Sequence, residues 1–480
     1  MKSMTAGPAS GNADVLRALQ EVLAAAGMDS LDSSSVRVHG ADPVVPSRFR
    51  LGAAVAGALG AQALGVAEIW KARGGRDQRL DIDLAQAAYP GLNTFLHIRQ
   101  NGHPLPFTRW EGQGPNFFPT RDGRRMYLLY TATYVQHCLR LHAFLGASTH
   151  HDAIARSVAR WDAQALEDAL AERRLIGAVA RTRDEWLAHP QGRWLQGQGP
   201  VLVQRLADSE PERLAPGPRP LSGVRVLDMA HVLAGPVTSR VLAEQGAEVL
   251  HVSAAHQPDG YLNDIDTGFG KRTAFLDLER AEDRAQLRAL LREADVFVQS
   301  WRPGALARRG FSHEEIAALR PGIVQASLSC YGNGGPWRER GGYEPLGQAV
   351  TGLAIAEGSP DEPRLACTFT LNDYLTAYLT AAGIVGALLR RTTQGGTYHV
   401  QASLARSSMW VQELGPLPPA QWPGAAGGVS VLPELPEHYF QTTESVFGTL
   451  RHPAPIVRYS ATPAAWSRPP SPMGRERPHW

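Results

Sequence analysis

The sequence predicts an α/β protein with a Rossmann-like parallel sheet and an additional partial-copy α/β domain, on three observations. From Val224 onward, short apolar runs alternate with helical segments, as the crossovers of a parallel doubly wound sheet require. A stretch rich in Pro and charge, Asp208 to Leu221 (DSEPERLAPGPRPL), separates that region from a more helical one. There is also an internal echo. A shift of 320 residues lays Gly395 on Gly75, Arg391 on Lys71, His399-Val400 on Arg79-Leu80 and Leu404-Ala405 on Leu84-Ala85. Both segments then read as a long small-residue helix, a Gly-containing turn and an alternating strand.

The elements follow in order. Residues 1–12 are small and polar and read as disordered. Ala13 to Met28 places Val15, Leu16, Leu19, Val22 and Leu23 on one helical face. Leu51 to Lys71 is a helix of small apolar residues, with Gly74-Gly75 behind it and a strand over Arg79 to Leu84. A turn at Thr120 to Gly123 precedes a strand at Met126 to Tyr130 and a helix, and further helix is expected from Asp152 to Leu187. Past the linker, strands are predicted at Val224–Asp228, Glu248–Val252, Thr273–Leu278, Asp295–Ser300 and Gly322–Ser329, with a helix over Gly235–Gln245. The expected organisation is an N-terminal segment (1–45), a partial-copy domain (46–207), a linker (208–221), a Rossmann-like catalytic domain (222–411) and a Pro-rich extension (412–480).

The bulk numbers exclude several classes. The net charge is +2, from 48 basic and 46 acidic residues, so no excess charge calls for nucleic acid or a membrane surface. Lysine occurs only at Lys2, Lys71 and Lys271, which makes Lys271 conspicuous among the arginines. Cys138, Cys330 and Cys367 are scattered, which suits reduced thiols and offers no zinc motif. No secretory signal pattern opens the chain, and Gln62 and Glu68 make the most apolar run look too polar to span a bilayer. A cytoplasmic protein is expected.

Familiar catalytic templates are missing. HExxH, GxSxG and the phosphate-binding GxxxxGK[ST] do not occur. The strand–turn–helix around Gly235-Pro236 lacks GxGxxG, and Ser253 stands where a ribose-binding acid would be, so no nicotinamide is expected. His150-His151 are adjacent and would point apart on a helix. The remaining feature is Thr370 to Arg391 (TLNDYLTAYLTAAGIVGALLRR), where Asn372-Asp373 look like a helix cap opening a buried helix.

The order of motifs in residues 220 to 410 resembles the class III CoA-transferase (CaiB/BaiF) family. PLSGVRVLDMAHVLAGP, RVLAEQGAEVLHV, GKRTAFLDL, DVFVQSWRPGALARRGF and RPGIVQASLSCYGNGGPW come in turn, and the helix beginning at Asp373 comes last. Residues 50 to 200 resemble the second half of the same family, so the chain looks rearranged or partly duplicated. In the echo register Asp373 falls on Ala53, leaving one catalytic carboxylate. The resemblance implies that Asp373 is a nucleophile and that acyl-CoA and carboxylic acids are substrates, with no tightly bound cofactor and a homodimer. It places His231, Val232, Leu233 and Ala234 at the thioester end of the CoA site. Lys271, Arg272, Arg302 and Arg308 would contact phosphates and Trp301 the adenine, while Tyr343 and Glu344 would lie beside the nucleophile. Tyr343 stands where related acyl-CoA racemases carry a His, which favours CoA transfer over racemisation or plain acyl-CoA binding. Leu233, Ser253-Ala254 and Ser300 depart from the family pattern around the CoA site.

Overall fold

The computed structural model describes residues 10–105, 116–130, 135–257, 259–423 and 434–480. The disorder expected over 1–12 falls largely outside these residues. The main sheet contains β1 (Leu202–Ala207), β2 (Arg225–Met229), β3 (Glu248–Ser253), β4 (Lys271–Phe275), β5 (Val296–Gln299), β6 (Val324–Ser329) and β7 (Thr397–Ser403). Their order across the sheet is β4-β3-β2-β5-β6-β7-β1, and only β1 runs antiparallel. Leu227 in β2 lies between Leu250 and Phe297 on the neighbouring strands, all three buried. Central strands covered on both faces read as unbroken apolar runs, which is why the sequence marks them clearly. The strand order reverses between β2 and β5. In doubly wound folds the crevice beyond the carboxyl ends of such strands is the usual ligand site.

Helices α1 (Ser10–Ala26), α2 (Leu51–Ala72), α3 (Ala234–Ala243) and α4 (Glu344–Thr351) all pack against α5 (Leu371–Gln394). Helix α2 lies against both α1 and α5. Its small residues permit the approach: a Cβ added at Gly57 would fall 2.6 Å from the Ala18 Cβ. By length and composition α2 could cross a membrane, contrary to the sequence expectation, with a mean hydropathy of 1.4 over its most apolar window. That window is 89% buried within the fold, so its apolarity serves the core of this chain.

The boundary read at 208–221 does not divide two packing units. Strand β1, from the N-terminal side, closes the sheet by pairing Val203 with Val400 and Leu202 with Gln401 of β7. One core cluster extends from Val15 to Tyr459. The linker itself is held to the sheet side, since Glu212 accepts hydrogen bonds from Arg320 at 2.6 and 2.7 Å. The echo survives as element order only. Long helices open at Leu51 and Leu371, and each is followed by a strand, Leu80–Asp83 or β7. The first of these strands joins a separate sheet with Val36–His39 and Arg458–Tyr459.

The helix expected over 152–187 is broken. It comprises His151–Val158, Ala163–Glu172 and Arg183–Ala188, with a strand at Gly177–Val179 that pairs with Arg125–Leu128. The C-terminal extension lies along β4, the edge strand. Gly270 and Thr273 exchange backbone hydrogen bonds with Arg468 and Glu476 at 3.0 and 2.9 Å, and the Trp480 indole donates to Leu290 at 3.0 Å. A covered edge cannot template pairing with another chain. Ending the chain at Ala465 should lower the melting temperature by at least about 1 °C, the size of about 1 kcal/mol for a chain of this length, and increase light scattering. Unchanged melting and scattering would show that the strap is dispensable.

Candidate active site

Helix α5 starts at the carboxyl edge of the sheet and is buried along most of its length. Its N-cap is Thr370, not Asn372-Asp373, and Thr370 makes no side-chain cap bond. Asp373 is therefore the third helical residue, with a carboxylate not engaged in capping. It is 7% exposed. Burial pushes its carboxyl up to about 7, and no cation or hydrogen-bond donor among the described residues offsets that effect. A helix N-terminus favours an anion by a fraction of a kcal/mol to about 2; here the loss of water outweighs it.

Glu344, the first residue of α4, is also buried. Burial, and then the neighbouring Asp373, push its carboxyl well above the usual range. Its Oε1 accepts from the Asn372 backbone N–H at 2.9 Å and from Gln348 Nε2 at 2.7 Å. Its Oε2 is buried and has no hydrogen-bond partner. Two adjacent carboxyls without a cation do not both ionise, so this pair holds a proton near neutral pH. Cys330, whose Sγ lies 3.6 Å from the Tyr343 carbonyl oxygen, is buried within the field of both carboxyls.

The turn from β2 into α3 lies beside this pair. Thr238 Oγ1 donates to Ala234 O at 2.9 Å and lies 3.4 Å from Ala377 O of α5. Ala234 and Asp373 each lie one turn upstream of those residues, so the two helix starts stand side by side. Val232 has φ +70° and Phe369 has φ +65°, conformations that bulky and β-branched residues rarely adopt. Val232 is held there from both sides. Its N–H donates to the Asp259 carboxylate at 3.2 Å, and its carbonyl accepts from Asn263 Nδ2 at 2.6 Å. Strained backbone thus precedes both helix starts. His231 lies 3.6 Å from Asp259. Burial lowers its imidazole pKa, but the bond to Asp259 and its charge outweigh that, leaving it above the ordinary value.

The sequence-predicted residues divide into three groups. Asp373, Tyr343, Glu344 and the turn His231, Val232, Leu233 and Ala234 surround the two helix starts. Trp301 is half-buried, with its ring 5.8 Å from that of His231 and its indole donating to Met229 O at 2.9 Å. Arg302 and Arg308 are exposed beyond it. Lys271 and Arg272 lie elsewhere and correct the phosphate assignment. Lys271 is 1% exposed, 3.0 Å from Asp228 and 2.6 Å from the Pro236 carbonyl, so it neutralises a buried acid between the sheet and the first turn of α3. Arg272 lies at the strapped edge, paired with Glu476 at 3.1 Å and Glu248 at 3.3 Å. Sequence reasoning missed Cys330, Asn372, Asp259 and Asn263 as parts of the site. Cys330 and Asn372 stand inside quoted motifs, whereas nothing in the sequence ties Asp259 to Val232.

The raised Asp373 carboxyl has a stability consequence. Between the ordinary 3.8 and about 7 the folded state holds a proton that the unfolded chain releases. Stability therefore falls as pH rises through that window and stays lower above it. Replacing Asp373 by Asn removes the loss, by about 4 kcal/mol at most. Asp373→Asn should raise the melting temperature at pH 8 more than at pH 5. An equal shift at both values would contradict the buried, partnerless carboxyl.

Part of the sequence resembles known proteins. Residues 221–428 match the sequence model of the family described as CoA-transferase family III. An acetyl-coenzyme A transferase, nodX, from Hypoxylon pulicicidum is 32% identical over 280 residues, covering 54% of this chain and 46% of that protein. An acyl-CoA transferase from Gibberella moniliformis is 30% identical over 377 residues, covering 67% of this chain and 64% of that protein. A solved CAIB/BAIF family protein from Brucella suis overlaps with 25% identity and a TM-score of 0.39, covering 48% of this chain and 65% of that one. The chain thus spans about half to two thirds of the length of these curated relatives. The agreement with CoA-transferase family III thus extends over residues 221–428 of the chain.

Proposed function

We propose that this protein transfers CoA from an acyl-CoA thioester to an acceptor carboxylic acid, with Asp373 as the nucleophile. The observation that carries the reading is a buried carboxyl pushed up to about 7 with no cation among the described residues to quench it. A carboxylate of higher basicity, stripped of water, is a better nucleophile toward a thioester carbonyl than a hydrated one. Attack by Asp373 forms a mixed anhydride and expels CoA thiolate. The thiolate then attacks the aspartyl carbonyl, giving an aspartyl-CoA thioester and releasing the donor acid. The acceptor carboxylate displaces CoA thiolate from this thioester to form a second anhydride. Attack of the thiolate on the acceptor's carbonyl yields the new acyl-CoA and regenerates Asp373.

The surrounding groups support this sequence of steps. Anhydrides hydrolyse, and the depth of Asp373 restricts water. Protonated Glu344, with Oε2 unengaged, is placed to donate to oxygen or sulfur charge that develops next to Asp373. The relatives' names include an acetyl-CoA:oxalate CoA-transferase from Acetobacter aceti, 32% identical over 198 residues, which favours small carboxylic acids as acceptors. We further infer a cytoplasmic homodimer, for which light scattering and fractionation are the measurements.

Asp373→Ala should abolish transfer across a panel of acyl-CoA donors. Hydroxylamine added with donor alone should trap an aspartyl hydroxamate at residue 373, detected by peptide mass spectrometry. The acylation rate of the unaltered chain should rise with pH through about 7 and level off above it, because only the ionised carboxylate attacks. Full activity in the Ala variant would eliminate the proposal. Deuterium exchange at the α-carbon without an acceptor would point to a racemase instead.

A further inference from the structure

Asp373 follows closely on a turn that the N-terminal part of the chain holds in place. Phe369 is the centre of a three-residue turn, closed by the Thr370 N–H donating to the Thr368 carbonyl at 2.7 Å. With Phe369 at φ +65°, this is the rare and strained form of such a turn. It does not terminate a helix, since the preceding one stops at Glu357. The turn is tethered on both flanks. Asn93 Nδ2 donates to the Thr368 carbonyl, and Thr370 Oγ1 donates to the Leu92 carbonyl at 2.9 Å. On the far side the Ala366 N–H donates to Gln348 Oε1 at 2.7 Å, and Gln348 in turn donates to Glu344. The strained turn is thus strung between residues 92–93 and the Glu344 carboxyl.

Folding alone does not account for this tether. Asn93 is 2% exposed and Thr368 5%, yet Asn93 Oδ1 and Thr368 Oγ1 have no hydrogen-bond partner among the described residues. A buried amide that satisfies only its donor end is unfavourable relative to an apolar side chain of the same shape. The carbonyl opposite accepts only from a donor, so turning the amide over gives no relief. Thr370 likewise forgoes the capping bond that its position at the start of α5 offers. The base of the tether is firm. Tyr378 of α5 donates to the Gly91 carbonyl at 2.5 Å, and Arg240 of α3 lies 3.3 Å from Thr94 Oγ1.

The geometry points to Asn93 as a positioning residue for Asp373. Its amide holds the Thr368 carbonyl, the turn closed on that carbonyl fixes Thr370, and Thr370 sets where α5 begins. Asn93 lies outside residues 221–428. A residue of the N-terminal segment, which has Ala53 in the nucleophile's register, thereby completes the site. Misplacing a reacting group by about 1 Å can cost about a hundredfold in rate. That Asp373 attacks a thioester rests on the transferase reading; the tether itself does not.

Two variants of the full chain test it. Asn93→Leu keeps the shape and removes the amide, and Thr370→Val keeps the shape and removes the hydroxyl; should either fail to fold, the other carries the test. With acetyl-CoA or succinyl-CoA as donor and hydroxylamine as trap, each should label residue 373 at least tenfold more slowly, to the same final fraction. A role in stability alone would do the reverse, lowering the fraction labelled at an unchanged rate. Thr370→Ser, which keeps the hydroxyl, should label at nearly the unaltered rate. Carboxyl-carbon NMR of Asp-labelled chain, with Asp373→Asn identifying the resonance, gives a readout that needs no turnover. Its midpoint near 7 should fall by at least one pH unit in each variant, because a released turn admits water. Glu344 and Cys330 lie in the same field and are unchanged in both variants. A chain that reacts with neither donor yet shows this fall would sink the transferase reading and leave the tether standing. An unaltered labelling rate and midpoint in the folded variants would overturn the role of Asn93.

Discussion

The constraint on which the site depends is a carboxyl buried without a counter-charge. Removing Asp373 from water is unfavourable, and the surrounding structure must supply enough packing to hold it there. Helix α5 does this by being enclosed on several sides. Helix α2 covers one side and α3 another, and α5 approaches α1 closely enough that a Cβ at Gly386 would fall 2.4 Å from the Ala26 carbonyl oxygen. The small residues that make α2 resemble a membrane span are the same ones that let it lie flat on α5. Sequence composition, close helix contact and a raised carboxyl pKa are thus linked.

The treatment of other buried charges sharpens the contrast. Asp228 is neutralised by Lys271 and His251. Asp266 receives Arg240 and the Tyr374 hydroxyl, Glu167 receives Arg181, and Arg391 meets Asp295. Glu244 is also pushed up to about 7 by burial, yet Arg240 and Arg219 act on it in the opposite direction. Each of these buried charges has an opposite charge acting on it. Asp373 and Glu344 share a low-dielectric region with no cation beside either carboxyl among the described residues, a pattern typical of groups kept for proton or acyl chemistry.

Legibility in the sequence followed periodicity and length. Strands β2, β3, β5 and β6 were readable because central parallel strands form short apolar runs with helices between them. Helix α2 was readable from Leu51 to within one residue of its end, because Gly74 takes φ +87° just beyond it. The region 152–187 was not, since Gly177–Val179 is a three-residue strand whose partner lies some fifty residues upstream. Motif order named Asp373, Glu344 and the 231–234 turn, which the fold brings to the same two helix starts. It misplaced Lys271 and Arg272, because a basic residue in a strand gives no sign of which face it takes or what acid lies opposite. The linker misled for a similar reason: DSEPERLAPGPRPL has boundary composition, but β1 just before it pairs back into the sheet.

The two helix starts in the echo register separate what folding requires from what chemistry requires. In α2 the Gly52 and Ala53 amides donate to the Asp42 carboxylate at 3.1 and 2.8 Å. In α5 the Asn372 amide, the register partner of Gly52, donates to Glu344. A buried helix start leaves amides unsatisfied, and an acid from an upstream segment meets that need in both places. The Asn372–Glu344 hydrogen bond is therefore explained by helix termination alone. Capping does not explain Asp373, since Ala53 occupies its register position without disturbing α2. Nor does it explain Glu344 Oε2, which is left buried and unbonded. Those two groups are the surplus over structural need, and they are adjacent. The first helix shows what this architecture looks like when only folding is required, and measured against it the second differs by one buried carboxyl and one unbonded carboxyl oxygen.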